Sequence, residues 1–281
     1  MHRRSTIRPV YDGEMHAEAR QQSQLEHELR VALDEGQLFF HYQPQLDISG
    51  REVTGGEALV RWQHPERGLL GPGHFIAAAE SSGLVVEIGE LALRCACRQA
   101  RDWMAQGLPP MRVAVNISPR QFRSSRLVES VAEALSESGI PPHLLELEIT
   151  ESMMLDEIES TKERLAGLHA LGVELTIDDF GTGYSCLAYL KHFPVQRLKI
   201  DKSFVDGVTE DADTAAIVEA VVSLGHSLRM RVLAEGIETH DQQARLLALG
   251  CDEVQGYYFG KPVPPETFAA DMVARTEPVS S

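Results

Sequence analysis

Two adjacent carboxylates, Asp178 and Asp179, close an alternating run and lead into Gly181 and Gly183, within the stretch ELTIDDFGTGY from Glu174 to Tyr184. Alternation over Val173 to Asp178 marks a strand, and the Gly/Thr cluster marks a loop at its carboxyl end. Two acids at a strand mouth can grip a divalent cation; the same pair can also serve as turn formers or a helix cap. Neighbouring strand residues point to opposite faces, so both carboxylates serve one centre only if the backbone turns there.

The same parity recurs in other segments. Val113, Val115 and Ile117 oppose Ala114 and Asn116; Leu145, Leu147 and Ile149 oppose Glu146 and Glu148; Val173, Leu175 and Ile177 oppose Glu174, Thr176 and Asp178. Leu198 and Ile200 oppose Arg197, Lys199 and Asp201, and Val232 and Ala234 oppose Arg231 and Glu235. In a closed barrel the face that meets the helices must be apolar, so the polar set points into the lumen, which barrels ordinarily fill with branched apolar side chains. Carboxylates crowded into a closed space stay ionised only when cations compensate them, which predicts metal. Oxygen and amide donors without His or Cys suit Mg²⁺ or Mn²⁺ better than Zn²⁺, and none of the 11 histidines forms a zinc-type pair. The competing reading is an internal salt-bridge network with Lys199, Arg197 and Arg231. In EALVRW, Glu57, Leu59 and Arg61 share a face, with Arg61 nearer the mouth by about 13 Å, where its fork suits a phosphate. An aliphatic stem packed beside Trp62 is the plainer role for Arg61.

These residues need eight strands to position them. Strand-like runs cover Leu38 to Leu46, Glu52 to Trp62, Arg112 to Ile117, Leu144 to Thr150, Val173 to Asp178, Gln196 to Asp201, Met230 to Glu235 and Glu253 to Phe259. Helix-like runs lie between them: Pro72 to Ser81, Val86 to Gln106, Ser125 to Ser138, Glu157 to Leu171, Asp213 to Ser227, Thr239 to Leu249 and Pro265 to Ala274. Repeated crossovers in 281 residues predict an α/β fold, a (β/α)8 barrel ahead of an open doubly wound sheet. The turn from Asp47 to Gly50 leaves no room for a crossover helix, so the barrel is expected to be irregular, with one antiparallel neighbouring pair. A first helix, residues 14 to 34, carries Leu25, Leu29 and Leu33 on one stripe and ends near Gly36; it reads as a linker from an upstream domain, a dimer contact or a docking helix.

Composition narrows the partners. A formal charge of −16 opposes a nucleic-acid polymer, while small phosphates remain open if metals reverse the local sign. No run approaches the roughly 18 apolar residues of a membrane span, and the start, MHRRSTIRPVYDGE, lacks the apolar segment of a secretory signal. Cys95, Cys97, Cys186 and Cys251 have no ligand-like spacing and read as reduced thiols of a cytoplasmic protein, most of them simply packed. There is no GxxxxGK[ST], no full GxGxxG and no GxSxG, so chemistry falls to metals, acids and Lys199.

Over roughly residues 30 to 275 the chain resembles the EAL-domain cyclic di-GMP phosphodiesterases. The matching stretches are YQPQ at Tyr42, EALVRW at Glu57, NIS at Asn116, ELEITES at Glu146, DDFGTGYSCL at Asp178, LKID at Leu198, AEGIE at Ala234 and QGYYFGKP at Gln255. The resemblance implies a modified TIM-like barrel with an antiparallel first strand. It also implies hydrolysis of one phosphodiester of cyclic di-GMP to linear pGpG, with two Mg²⁺ or Mn²⁺ ions per site. By that similarity Glu57, Asn116, Glu148 and Asp178 bind one metal, and Asp178 bridges to a second held also by Asp179. Lys199 orients or polarises the attacking water and Glu235 assists at the second metal. Gln43, Arg61, Asp201, Glu238 and Gln255 resemble substrate or supporting positions, and Glu151 the acid that braces the loop Asp179 to Leu187 beside a dimer interface. It further implies a homodimer and an upstream GGDEF or sensory domain, with residues 1–30 as linker and 31–281 as barrel. This piece itself makes no membrane contact, though a longer parent protein could be anchored. Cys186 stands where Ser is frequent and Val60 where Leu is commoner; neither removes a ligand. A silent cyclic di-GMP sensor and a Schiff-base lyase acting through Lys199 are the alternatives; the acids around Lys199 disfavour the lyase.

Overall fold

A computed structural model of the chain describes residues 10–155, 158–181 and 190–276, with side chains from residue 22 onward. The expected start of a helix at Glu157, Cys186 and most of the loop Asp179 to Leu187 lie outside the described residues. The chain divides into two compact units, Met1–Phe39 with Val60–Ile88, and Phe40–Leu59 with Gly89–Ser281.

The second unit carries most of the barrel. Strands β1 (Leu38–Asp47), β2 (Val53–His64), β4 (Arg112–Asn116), β5 (Leu145–Thr150), β6 (Glu174–Phe180), β7 (Arg197–Ile200), β8 (Arg231–Ala234) and β9 (Glu253–Gln255) form the staves; a short β3 (Gly68–Leu70) lies in the first unit. The hydrogen-bonded order is β1-β9-β8-β7-β6-β5-β4-β2-β3, and a further β1–β2 pairing closes the ring at eight strands. Strand β1 runs antiparallel to β9, whereas β2 and β4 to β9 pair in parallel. The irregular barrel expected from the first hairpin is thus the one observed. Its turn is fixed by Asp47, whose carboxylate accepts the N–H groups of Ser49, Arg51 and Glu52.

The alternation holds. Val113, Val115, Leu145, Leu147, Ile149, Leu175, Ile177 and Leu198 are fully buried on the side opposite the polar set, as a sheet wrapped by helices requires. The covering helices are Val85–Ala105, Leu127–Ser138, Ile158–Ala170, Ala212–Ser227, His240–Ala248 and Pro265–Thr276. Each lies within a few residues of its expected place. Two short helices escaped the sequence reading, Pro119–Phe122 and Lys202–Gly207. Their caps are ordinary: Ser118 accepts from Gln121 N at 3.1 Å and Asp201 from Ser203 N at 3.0 Å.

The expected strand from Glu253 to Phe259 stops at Gln255. There the chain turns onto Ile237: Ile237 N donates to Gln255 O and Tyr258 N to Ile237 O, at 3.1 and 3.0 Å. A Cβ at Gly256 would lie 2.1 Å from Ile237 O, so only glycine permits this approach.

The first unit gathers the helix Val10–Asp34, the outer part of β2, β3 and the helix Ile76–Ser82. Trp62 is fully buried against Phe75, ring centroids 5.6 Å apart, and its indole N–H donates to Gln37 Oε1 at 3.0 Å. Glu28, from the long helix, pairs with His64 at 3.3 Å and with Arg67. Among the described residues no helix is long and apolar enough to cross a membrane.

Candidate active site

Successive inward residues form two stacked charge layers. The lower layer is balanced. Glu146 meets Arg197 at 2.6 Å and Arg112 at 3.1 Å; Glu253 meets Arg197 at 2.8 Å, Arg112 at 3.1 Å and Arg231 at 3.0 Å; Glu174 meets Arg197 at 3.2 Å. Three carboxylates thus meet three guanidiniums, and Thr176 Oγ1 adds a 2.6 Å hydrogen bond to Glu146. Burial alone would push the Glu146 carboxyl up, but Arg197 and Arg112 hold it below its ordinary value. The salt-bridge network weighed from the sequence exists here, built on Arg197, Arg231 and Arg112 but without Lys199.

One step along the strands the balance fails. Lys199 Nζ, buried, lies 2.5 Å from Glu235, 2.8 Å from Glu148, 3.4 Å from Asp178 and 3.9 Å from Glu57. Four carboxylates therefore share one ammonium, a formal −3 if all are ionised. Burial opposes the charge on Lys199, but Asp178, Glu148, Glu235 and Glu57 overcome it and raise its pKa well above the ordinary value. The acids respond oppositely. Burial, then Glu57, pushes Glu148 well up; burial, with Asp178 and Glu57 adding to it, raises Glu235 to about 8 against the pull of Lys199. Neither oxygen of buried Glu148 accepts a hydrogen bond: Lys199 is close to Oε1 but off the line such a bond needs. An orphaned buried carboxylate in an acid-rich layer is chemistry that suits a bound cation.

The strand end does what the paired aspartates require. Asp179 takes a left-handed conformation, φ 54°, and the β6–β7 register breaks between Ile177 and Phe180. Asp178 Oδ1 accepts Asp179 N at 3.0 Å. The turn brings oxygens of Asp178, Asp179 and Glu235 within 4.8 Å of one another. Burial and then Asp178 raise the Asp179 carboxyl. All these donors are oxygens, which fits a hard divalent ion.

Asn116 Nδ2 donates to Glu57 Oε1 at 2.6 Å, and Gln255 Nε2 to Glu57 Oε2, also at 2.6 Å. Gln255 also donates to Gln43 Oε1 at 3.2 Å, and Gln43 to Gly260 O at 3.1 Å. Glu57, Asn116, Glu148, Asp178, Asp179, Lys199, Glu235, Gln43 and Gln255 thus form one connected group. Asp201 caps the helix after β7 and is close enough to Asp179 to raise its pKa; exposed Glu238 pairs with Lys202. Buried Glu151 accepts Gly181 N at 3.1 Å, within the described start of the loop it was expected to brace. Arg61 belongs to the first unit, where its guanidinium donates to Val60 O at 2.8 Å. Sequence reasoning missed Gln45, whose Nε2 donates to Gln255 Oε1 at 3.1 Å, and the lower-layer Arg112 and Glu253. Parity with Gln43, Asn116 and Gln255 was the available signal for each.

Residues 26–262 match the EAL domain family. The chain is 45% identical over 262 residues to the bifunctional diguanylate cyclase/cyclic di-GMP phosphodiesterase MucR of Pseudomonas aeruginosa, covering 93% of this chain and 38% of that protein. It is 44% identical over 246 residues to the cyclic di-GMP phosphodiesterase NbdA of the same organism, covering 88% of this chain and 31% of that one. It therefore spans well under half the length of either relative. Among solved structures, the MucR phosphodiesterase in complex with c-di-GMP superposes with a TM-score of 0.84 at 46% identity, covering 87% of this chain and 99% of that one. An eight-stave barrel with one antiparallel stave, an acid-rich layer around one lysine and these matches together place the chain in the EAL-domain family.

Proposed function

We propose that this chain is a metal-dependent phosphodiesterase that opens one phosphodiester of cyclic di-GMP to give linear pGpG. The observation that carries the reading is the unbalanced upper layer, with Glu148 buried and unsatisfied, set directly above a layer whose charges cancel. The similarity to a relative solved with c-di-GMP supplies the substrate.

Glu57, Asn116, Glu148 and Asp178 would hold one ion, and Asp178 with Asp179 and Glu235 a second; Mg²⁺ and Mn²⁺ both suit the oxygen donors. Bound there, two such ions supply positive charge that acidifies water and neutralises the phosphate. Lys199 remains an ammonium, so it donates hydrogen bonds and charge to the attacking water and is a poor amine nucleophile, which argues against a Schiff-base lyase. The water oxygen bonds to phosphorus as the P–O3′ bond breaks; one water proton ends on the 3′ oxygen, which leaves as an alcohol, and the other passes from the new terminal phosphate to solvent. Gln43, Asp201, Glu238 and Gln255 border the substrate or its supports. Glu151 braces the loop after β6. The working unit is a homodimer carried by a longer cytoplasmic or membrane-anchored protein, with residues 1–30 as the linker from a GGDEF or sensory domain and 31–281 as the catalytic barrel.

Incubation with cyclic di-GMP and Mg²⁺ or Mn²⁺, with and without chelator, tests this by chromatography of pGpG. Metal-dependent, chelator-abolished pGpG is the expected result; tight substrate binding without turnover would replace the enzyme with a silent sensor.

A further inference from the structure

Three glutamines of β1 and β9 form a directional amide chain ending on Glu57. Gln43 Nε2 donates to Gly260 O, Gln255 Nε2 donates to both Gln43 Oε1 and Glu57 Oε2, and Gln45 Nε2 donates to Gln255 Oε1. Gln45 stands directly opposite Gln255 in the antiparallel register and is fully buried. An amide has a donor end and an acceptor end. Turned by 180°, Gln255 would set its oxygen against the Glu57 carboxylate and against Gln43 Oε1, and Gln45 would lose the oxygen it holds.

The choice of glutamine at 45 is not explained by stability. Its Oε1 is buried and accepts no hydrogen bond, a destabilising arrangement that an apolar side chain of the same volume would remove. Position 55 is glycine; a Cβ there would crowd the amide, 3.0 Å from Gln45 Oε1, and would lie 3.1 Å from Arg112 O. We propose that Gln45 is a positioning residue. Its N–H fixes which end of the Gln255 amide faces Glu57, and so holds the Glu57 carboxylate in the orientation that a cation needs. Gln45 is fully buried and acts through Gln255, to which it donates. The inference rests on the metal-dependent reading above.

The test is calorimetric Mn²⁺ binding to the metal-free full chain, without substrate, for wild type and Gln45→Met, which keeps the volume and removes the donor. Loss of a residue that orients a ligand weakens metal affinity about tenfold or more. The Mn²⁺ Kd is therefore expected to rise about tenfold, with kcat restored to within about twofold of wild type at saturating Mn²⁺. Gly55→Ala leaves Gln45 in place but crowds its amide, and is expected to raise the Kd in the same direction by less. A purely structural role would lower Tm and leave the Kd alone. A folded Gln45→Met protein with a Mn²⁺ Kd within about twofold of wild type overturns the proposal; should that variant not fold, an unchanged Kd in Gly55→Ala does so. Wild-type protein that binds no Mn²⁺ overturns the functional reading as well, which separates the two failures.

Discussion

Loading the upper layer with a divalent ion should expel protons, and the amount follows from the charges around Lys199. Burial and the neighbouring acids raise Glu235 to about 8, so in metal-free protein at pH 7 it carries roughly 0.9 of a proton, and at pH 9 roughly 0.1. Burial, then Glu57, pushes Glu148 up as well. A bound cation needs the Glu235 carboxylate ionised, so binding at pH 7 should release about one proton from it, falling toward zero as the pH is raised through 8 and beyond. Apparent affinity should therefore weaken as pH falls below 8, by up to about tenfold per pH unit for each proton displaced.

Calorimetric titration of Mn²⁺ into metal-free protein, in buffers of different ionisation enthalpy, reads the proton count directly. A binding heat at pH 7 that is the same in every buffer would mean that the acids are already ionised without metal, and the electrostatic account of the layer would be wrong. The linkage acts on folding too, with a definite sign. Glu235 is raised from 4.5 to about 8, so between those values the folded state binds more protons than the unfolded one. Metal-free protein should accordingly lose stability as pH rises across that window, by up to about 1.4 kcal/mol per unit from this residue, whereas metal-saturated protein should not.

Other substitutions separate the roles. Asp178→Asn removes the acid shared by the Lys199 cluster and the Asp178, Asp179 and Glu235 group; Mn²⁺ binding should weaken by more than about 100-fold and pGpG formation should disappear with it. Lys199→Ala should keep Mn²⁺ binding yet lose about 10² to 10³ in kcat, measured at saturating metal, because it removes charge and donors at the reacting centre; a variant retaining a tenth or more of wild-type turnover would rule out that role. Arg197→Met strands Glu146 and Glu253 in the lower layer; urea unfolding should show a loss of about 3 to 5 kcal/mol, with Mn²⁺ affinity little changed if the two layers are functionally separate.

The polar lumen was legible because strand parity has a period of two and the outward face must be apolar, so Glu146, Glu148, Glu174 and Asp178 could be assigned inward without coordinates. Parity does not say how far along the barrel each side chain sits. That depends on register between strands: Glu146 faces Glu174 across β5 and β6, and Thr176 faces Arg197 across β6 and β7, which sorts Glu146 and Glu174 with the arginines and leaves Glu148 and Asp178 with Lys199. Read as a single pool, the inward acids left salt bridge and metal site as rivals. Read by layer, the salt bridges take the lower acids and leave the upper ones to the proposed metal site, so the first strengthens the case for the second. The same β4, β5 and β7 staves that bring Arg112 and Arg197 to Glu146 bring Asn116, Glu148 and Lys199 together one layer further along. This barrel can therefore accommodate guanidiniums opposite buried carboxylates, yet its upper layer answers four carboxylates with a single ammonium. A fold stabilised by internal ion pairs alone has no use for that difference, whereas a site that must accept cations from solution does.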